Sequence, residues 1–154
     1  MNRTYKFIFF ALLVVVSACN SKPRIIMEHV FENNSWNAFN EVKMDTIIVE
    51  RDKAYRIELT VELKDDFEGN EFSFGFTQSN EEGESKYSFF TIPIRDEKRE
   101  MIAKKTGDYF VSKMILNKKT FFNSESRYTF IFESIMGKVN AKGIHKMKLE
   151  IIQL

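Results

Sequence analysis

The sequence predicts an all-β protein, an antiparallel β-sandwich of Ig-like or jelly-roll-like type with about eight strands. Three observations predict it. Apolar residues recur at every second position in four separate stretches, the period of a strand with one buried face. Clusters of Gly, Asn, Asp and Ser punctuate the chain between those stretches, at the spacing typical of sandwiches and barrels. Phenylalanine is abundant, 16 residues in all, and only Phe7, Phe9 and Phe10 lie in the N-terminal apolar run. The remaining thirteen give aromatic area for a dense core without disulfides.

The elements follow in order. "RIIMEHVF" from Arg24 and "DTIIVE" from Asp45 are β-branched or aromatic runs that read as the first two strands. "AYRIELTVEL" alternates cleanly, with Tyr55, Ile57, Leu59, Val61 and Leu63 on one face and Arg56, Glu58, Thr60 and Glu62 on the other. "EFSFGFTQS" repeats the pattern through Phe72, Phe74 and Phe76, and "YSFFTIPI" follows. Pro93 has no N–H to give a ladder, which predicts an edge strand or a strand end. "RDEKREMIAKK" (95–105) is the one stretch with helical propensity and is expected to be a partly helical connection. "YFVSKMIL", "SRYTFIFESI" and "HKMKLEIIQL" complete the set, the last two placing Phe130, Phe132, Leu149 and Ile151 on buried faces. "KDDFEGNE", "SNEEGES", "NKKTFFNSES" and "KVNAKG" are the turns.

The N-terminus has a different logic. Arg3 and Lys6 precede "FIFFALLVVV" (7–16), an apolar run of about 15 Å as a helix, half of a hydrocarbon core of roughly 30 Å. A positive start, a short apolar stretch and small residues describe a secretory signal peptide. Val16-Ser17-Ala18-Cys19 resembles the bacterial lipobox. In that motif the thiol receives a diacylglyceryl group and cleavage leaves the cysteine as the new N-terminus, carrying palmitate-type acyl chains. Two or three such chains exceed the marginal hold of one. We therefore expect residues 1–18 to be a signal peptide, 19–23 a lipidated tether and 24–154 the sandwich. Asn20 follows the cysteine without an acidic cluster, and by analogy with sorted lipoproteins this implies the outer membrane, facing the periplasm.

Composition narrows the functional classes. Of 23 Lys and Arg, removal of Arg3 and Lys6 leaves 21 against 22 acids, a balance that recommends neither nucleic acid nor a charged membrane surface. The only histidines, His29 and His145, are far apart and have no metal-ligand spacing. "DDFEGNE" lacks the alternating ligands of an EF-hand loop and reads as a solvated acidic turn. No phosphate loop or nucleophile elbow is present. A carboxylate pair could still converge in space, but no pair stands out. These readings point to a protein that is not an enzyme, with no cofactor and no metal. Trp36, the single tryptophan, sits among polar residues in "NNSWN"; it either plugs one end of the sandwich or anchors a sugar or protein partner. Met136 and Gly143-Ile144 flank the turn before the last strand and join Trp36 as candidate partner contacts.

With these residues in view, the chain resembles the gliding-motility lipoprotein GldH family of Bacteroidetes. The resemblance rests on the lipobox, Trp36 after a polar turn, "AYRIELTVEL", Gly83, Thr106-Gly107-Asp108 and, above all, "RYTFIFESIMGKVNAKGIHKMKLEII". It implies a lipid-anchored, non-enzymatic structural or assembly component linked to gliding and to type IX secretion, with an envelope protein complex as partner. In that setting Asp45-Thr46-Ile47 resembles the Asp-Ser/Thr-apolar motif for O-glycosylation, which makes Thr46 a candidate acceptor. A glycan-binding lipoprotein serving nutrient capture is the alternative, and exposed aromatics in a structure would favour it.

Overall fold

The computed structural model describes residues 22–154 apart from positions 49 and 51. The expected signal peptide, the lipobox-like stretch and Cys19 lie outside the described residues. Eleven strands appear: β1 (Arg24–Val30), β2 (Ser35–Asn37), β3 (Val42–Ile47), β4 (Ala54–Leu63), β5 (Glu71–Asn80), β6 (Ser85–Pro93), β7 (Lys104–Thr106), β8 (Tyr109–Phe121), β9 (Arg127–Ser134), β10 (Asn140–Lys142) and β11 (Ile144–Gln153). Eight are the long runs read from the sequence. The other three, β2, β7 and β10, are three residues each.

Two antiparallel sheets form the sandwich, one ordered β1-β11-β4-β8-β7 and the other β3-β9-β5-β6, with β10 and β2 paired separately. The period-two pattern sets which side chains meet. In register, Met147, Leu149 and Ile151 of β11 lie beside Val61, Leu59 and Ile57 of β4. They belong to one core with Phe72, Phe74 and Phe76 of β5 and Phe130 and Phe132 of β9. Phe76 and Phe130 stack nearly parallel at 6.0 Å, and Phe74 meets Phe132 at 5.8 Å. All twelve residues expected at the alternating core positions, from Tyr55 to Ile151, are buried.

Three expectations need correction. β3 begins at Val42 rather than Asp45. The apolar cluster Ile47-Ile48 suggested the later start, yet Val42 and Met44 hold the inward positions and Ile47 is exposed. β8 runs on to Phe121 through "NKKT", a stretch expected to turn; register irregularities around Ile57 absorb extra residues there. Finally, residues 95–105 are not helical. The Asp96 carboxylate accepts the N–H groups of Lys98 (2.9 Å) and Glu100 (2.8 Å), and Arg99 takes φ 67°. A side chain that satisfies nearby backbone donors competes with a helix, and here it closes a tight turn bridged by Arg95 and Met101. Pro93 ends β6, which is an edge strand as expected.

Strand direction fixes what lies at each end. β1 and β4 run away from the N-terminus of the domain, and β11 and β8 run back. Connections 31–41, 64–70, 94–108 and 135–143 therefore gather at the end far from the first described residue. The shorter ones, 48–53, 81–84 and 122–126, share the near end with the first and last described residues. A ten-residue strand such as β4 separates the two ends by about 33 Å.

Candidate functional site at the far end of the sandwich

The far end is built on Trp36. After β1 a 3-10 turn (Glu32–Asn34), with Asn33 and Asn34 at positive φ, reverses the chain into β2. Asparagine tolerates that conformation better than most residues. In β2, Ser35 and Asn37 stay half-buried while Trp36 points inward and is 1% exposed. It packs between Phe31 (5.4 Å) and Phe72 (5.9 Å), opposite the small Ala141 of β10. Its Nε1–H donates to the Asn40 carbonyl at 2.8 Å, so the buried indole is satisfied. This position removes Trp36 from the surface contacts and makes it the plug of that end.

Gly143 and Ile144 are also core features. Lys64 N–H donates to the Gly143 carbonyl at 2.8 Å, and Gly143 has φ +80° with the Phe67 backbone pressed against it. Ile144 is fully buried. Of the four candidate contacts only Met136 stays half-exposed, packed against the core edge. Thr46 is half-buried on the inward-pointing side of β3, opposite Tyr128, while its neighbour Asp45 faces out and accepts from the Thr129 hydroxyl at 2.6 Å.

What the surface does offer was hidden in the sequence. A cleft of about 670 Å³ opens beside Trp36, with Asn33, Asn37, Asn40, Asn140, Glu41 and His29 among its lining. Asn37 Nδ2 donates to Asn140 Oδ1 at 3.0 Å across the β2–β10 pair, and Asn37 Oδ1 accepts from Phe39 N–H at 2.9 Å. That second bond holds a turn that thrusts Phe39 into solvent, 82% exposed. Ala38 N–H donates to the Val139 carbonyl at 2.8 Å, which brings the 56%-exposed Val139 to the same rim. Val30 is exposed at the end of β1. His29, against Phe31 at 4.7 Å, has its pKa lowered by burial and is neutral at neutral pH. His145 bonds Asn34 at 2.9 Å and stacks on Tyr109, tying the 3-10 turn to β11. The cleft thus presents amides beside two exposed acids, Glu32 and Glu41, with Phe39, Val139 and Val30 exposed around it. The one signal for it was the asparagine density of "NNSWNAFN".

The structure also brings two carboxylates together. Glu58 and Glu150 are directly opposite on β4 and β11 and both are buried, on the outward face of the five-stranded sheet. Opposed Cβ atoms lie about 5 Å apart, so the pair is the one to weigh as a glycosidase-type acid and base. Their surroundings do not suit that chemistry. Glu58 meets Arg56 at 2.6 Å and Lys113; Glu150 meets Lys148 at 3.0 Å and Arg24 at 3.2 Å. Burial opposes the Glu150 charge, but the Lys148 bond and the nearby Lys113 and Arg24 outweigh it and hold the carboxyl below its usual range. A general acid needs the opposite shift. Among the described residues no group of three or more His, Cys, Asp or Glu side chains could hold a metal ion, and no helix is long and apolar enough to cross a membrane.

A family model described as GldH lipoprotein matches residues 26–151. The chain belongs to the GldH lipoprotein family. That membership makes it a gliding-motility-related, lipid-anchored envelope protein. A search of curated protein sequences gives no significant match. Among solved structures, the insecticidal delta-endotoxin Cry8Ea1 of Bacillus thuringiensis overlays with TM-score 0.40 at 10% identity, covering 85% of this chain and 19% of the toxin. The infectious bursal disease virus VP2 subviral particle overlays with TM-score 0.39 at 8% identity, covering 88% of this chain and 34% of VP2. The GldH chain thus spans about a fifth and a third of those two proteins.

Proposed function

We propose that this GldH protein is a non-enzymatic structural or assembly subunit of a gliding-motility and type IX secretion-linked apparatus. In this reading Cys19 carries the lipid, the outer membrane holds it facing the periplasm, and the far end of the sandwich docks a protein partner. The observation that carries the reading is the exposure of Phe39 and Val139 on one rim. A lone domain gains nothing by holding a phenylalanine in water on a hydrogen-bonded turn, whereas an interface gains an aromatic anchor. The anchor itself adds effective concentration, because a tethered domain searches a plane rather than a volume. Met136 supplies an adaptable edge to the same end.

The test is recovery of crosslinked partners from envelopes carrying Phe39→Asp or Val139→Asp. Loss of the partner with an unchanged melting temperature is expected. Undiminished recovery from both variants would remove the far end from the interface. The glycan-binding reading draws on the amide-lined cleft, whose Asn33, Asn37, Asn40 and Asn140 could pair with sugar hydroxyls. Titration of the full chain with oligosaccharides separates the two, since an Asn33→Gly change removes a cleft amide outside the Asn37–Asn140 and Phe39 bonds and would weaken glycan binding alone. An O-glycan on Thr46 would require its hydroxyl to turn outward near the end of β3; the intact mass of the native protein decides that.

A further inference from the structure

The near-neutral charge of the chain conceals a segregation at the near end of the sandwich. On the five-stranded side, where the chain enters the domain, Lys22, Arg24, Lys53, Lys118 and Lys119 are exposed. Backbone bonds gather them: Gln153 N–H donates to the Pro23 carbonyl at 3.0 Å, Leu154 N–H to the Ala54 carbonyl at 2.8 Å, and Ala54 pairs with Phe121. Between the cations sit two exposed apolar groups, Phe121 at 54% and Leu154 at 47%. Lys119 Nζ lies 5.4 Å from the centre of the Phe121 ring. Glu50 and Asp52 are the acids of the adjoining connection, and Arg24 is tied to Glu150. On the four-stranded side of the same end the balance reverses. Glu81, Glu82, Glu84 and Glu125 are exposed there, against Lys86 and Arg127, the latter 3.4 Å from Glu81.

We infer that the five-stranded edge of the near end is a membrane-docking rim that lies on an anionic lipid headgroup layer and sets the tilt of the domain. The inference rests on the proposed acylation of Cys19. That residue is four positions before Pro23, so no more than about 14 Å of chain can separate them. The near end is therefore held within one to two screening lengths of the lipid surface, about 8–10 Å each at ordinary ionic strength. At that distance the cations attract anionic headgroups, and Phe121 and Leu154 reach the interface that favours amphipathic and aromatic side chains. The acidic turn 81–84 is repelled by the same surface, so the four-stranded side is lifted. Attraction on one side and repulsion on the other choose one tilt, with the Phe39 rim pointing away from the bilayer.

The acylated full-length protein in vesicles with brominated lipids gives the test. Trp36, the single native tryptophan, is at the far end and reports any collapse of the domain onto the bilayer. Phe121→Trp adds a reporter at the proposed contact, and Leu154→Trp is a second in case the first perturbs folding. In vesicles of phosphatidylcholine mixed with phosphatidylglycerol, the added emission should be quenched and that of Trp36 should not. In phosphatidylcholine alone, at high salt, or with Lys53, Lys118 and Lys119 all changed to Glu, the added quenching should be lost. A protein that floats with the vesicles but shows no added quenching in the anionic mixture, or shows Trp36 quenched there, overturns the rim and leaves the anchor standing. A protein that does not float overturns both.

Discussion

Replacing Gly143 with alanine tests how the far end is held. A Cβ at this position would lie 2.5 Å from the Phe67 Cα and 2.8 Å from its Cβ, and closer still to its backbone nitrogen. The obstacle is backbone, which cannot swing aside as a side-chain tip would. Three costs follow. A non-glycine residue at φ +80° costs about 1–2 kcal/mol. Overpacking costs about 1–3 kcal/mol. Moving the 64–67 turn to relieve the clash stretches the Lys64 N–H to Gly143 bond, worth about 1 kcal/mol. The sum, about 3–6 kcal/mol, is a large share of the roughly 5–15 kcal/mol of a typical domain. Gly137→Ala is the matched control, because its φ is +71° but nothing lies within 4 Å of the added carbon. It should lose only the conformational share, about 1–2 kcal/mol. Urea unfolding followed by Trp36 fluorescence reads both variants. Equal losses at the two glycines would refute the claim that close approach of Phe67, rather than φ alone, demands glycine at position 143.

Truncation of Trp36 to alanine should cost about 3–5 kcal/mol, seen as a lowered melting temperature, since the ring is a buried plug between Phe31 and Phe72. Phe39→Asp and Val139→Asp should shift stability by no more than about 0.5 kcal/mol while releasing the envelope partner in pull-downs. Stability should fall as the pH drops below His29's usual value of 6.5. There the unfolded chain takes up a proton that half-buried His29 resists. A second loss should follow as pH falls through the depressed Glu150 pKa, below 4.5; urea midpoints against pH should show the first step vanish in His29→Gln. Cys19→Ser should abolish acylation and leave unprocessed precursor, read by mass spectrometry.

The legible parts of the fold were those where one physical rule dominates. Alternation placed Ile57, Leu59, Phe74 and Phe132 in the core because a strand between water and a packed face has no other solution. Residues 95–105 misled because helix propensity is a sum of small terms, and one aspartate side chain bonding two backbone N–H groups outweighed it. The candidate site was the least legible region. Trp36 read as either an end plug or a partner anchor because its neighbours are polar, and the structure takes the plug: in a three-residue strand those neighbours face the other way. Phe39 entered the sequence reading only as one of the thirteen phenylalanines that give aromatic area for a core. Its exposure depends on a bond from its own N–H to Asn37 and on a partner strand, β10, about a hundred residues on, and no local pattern encodes that pairing.

The proposed division of labour between the two ends follows from the direction of one strand. β1 enters the five-stranded sheet directly after the expected tether and runs away from it, and every later strand inherits its sense from antiparallel pairing. The near end then needs only short turns, and aromatic contacts seal it, Tyr55 to Phe122 at 5.2 Å and Phe122 to Tyr128 at 4.7 Å. The far end receives the longer connections, which bear recognition surfaces at low cost to the core because their backbone lies outside the main ladders. Its short strands β2 and β10 form a separate ladder, fastened by Trp36 on one side and joined through Gly143 to β11 on the other. Changes at Phe39 or Val139 can therefore alter a contact without unfolding the sandwich, whereas changes at Trp36 or Gly143 disturb contact and fold together. A far-end variant that loses its partner while keeping its urea midpoint would separate those two classes of residue. If every such loss came with a lowered midpoint, the far end would be part of the cooperative core rather than a surface carried on it.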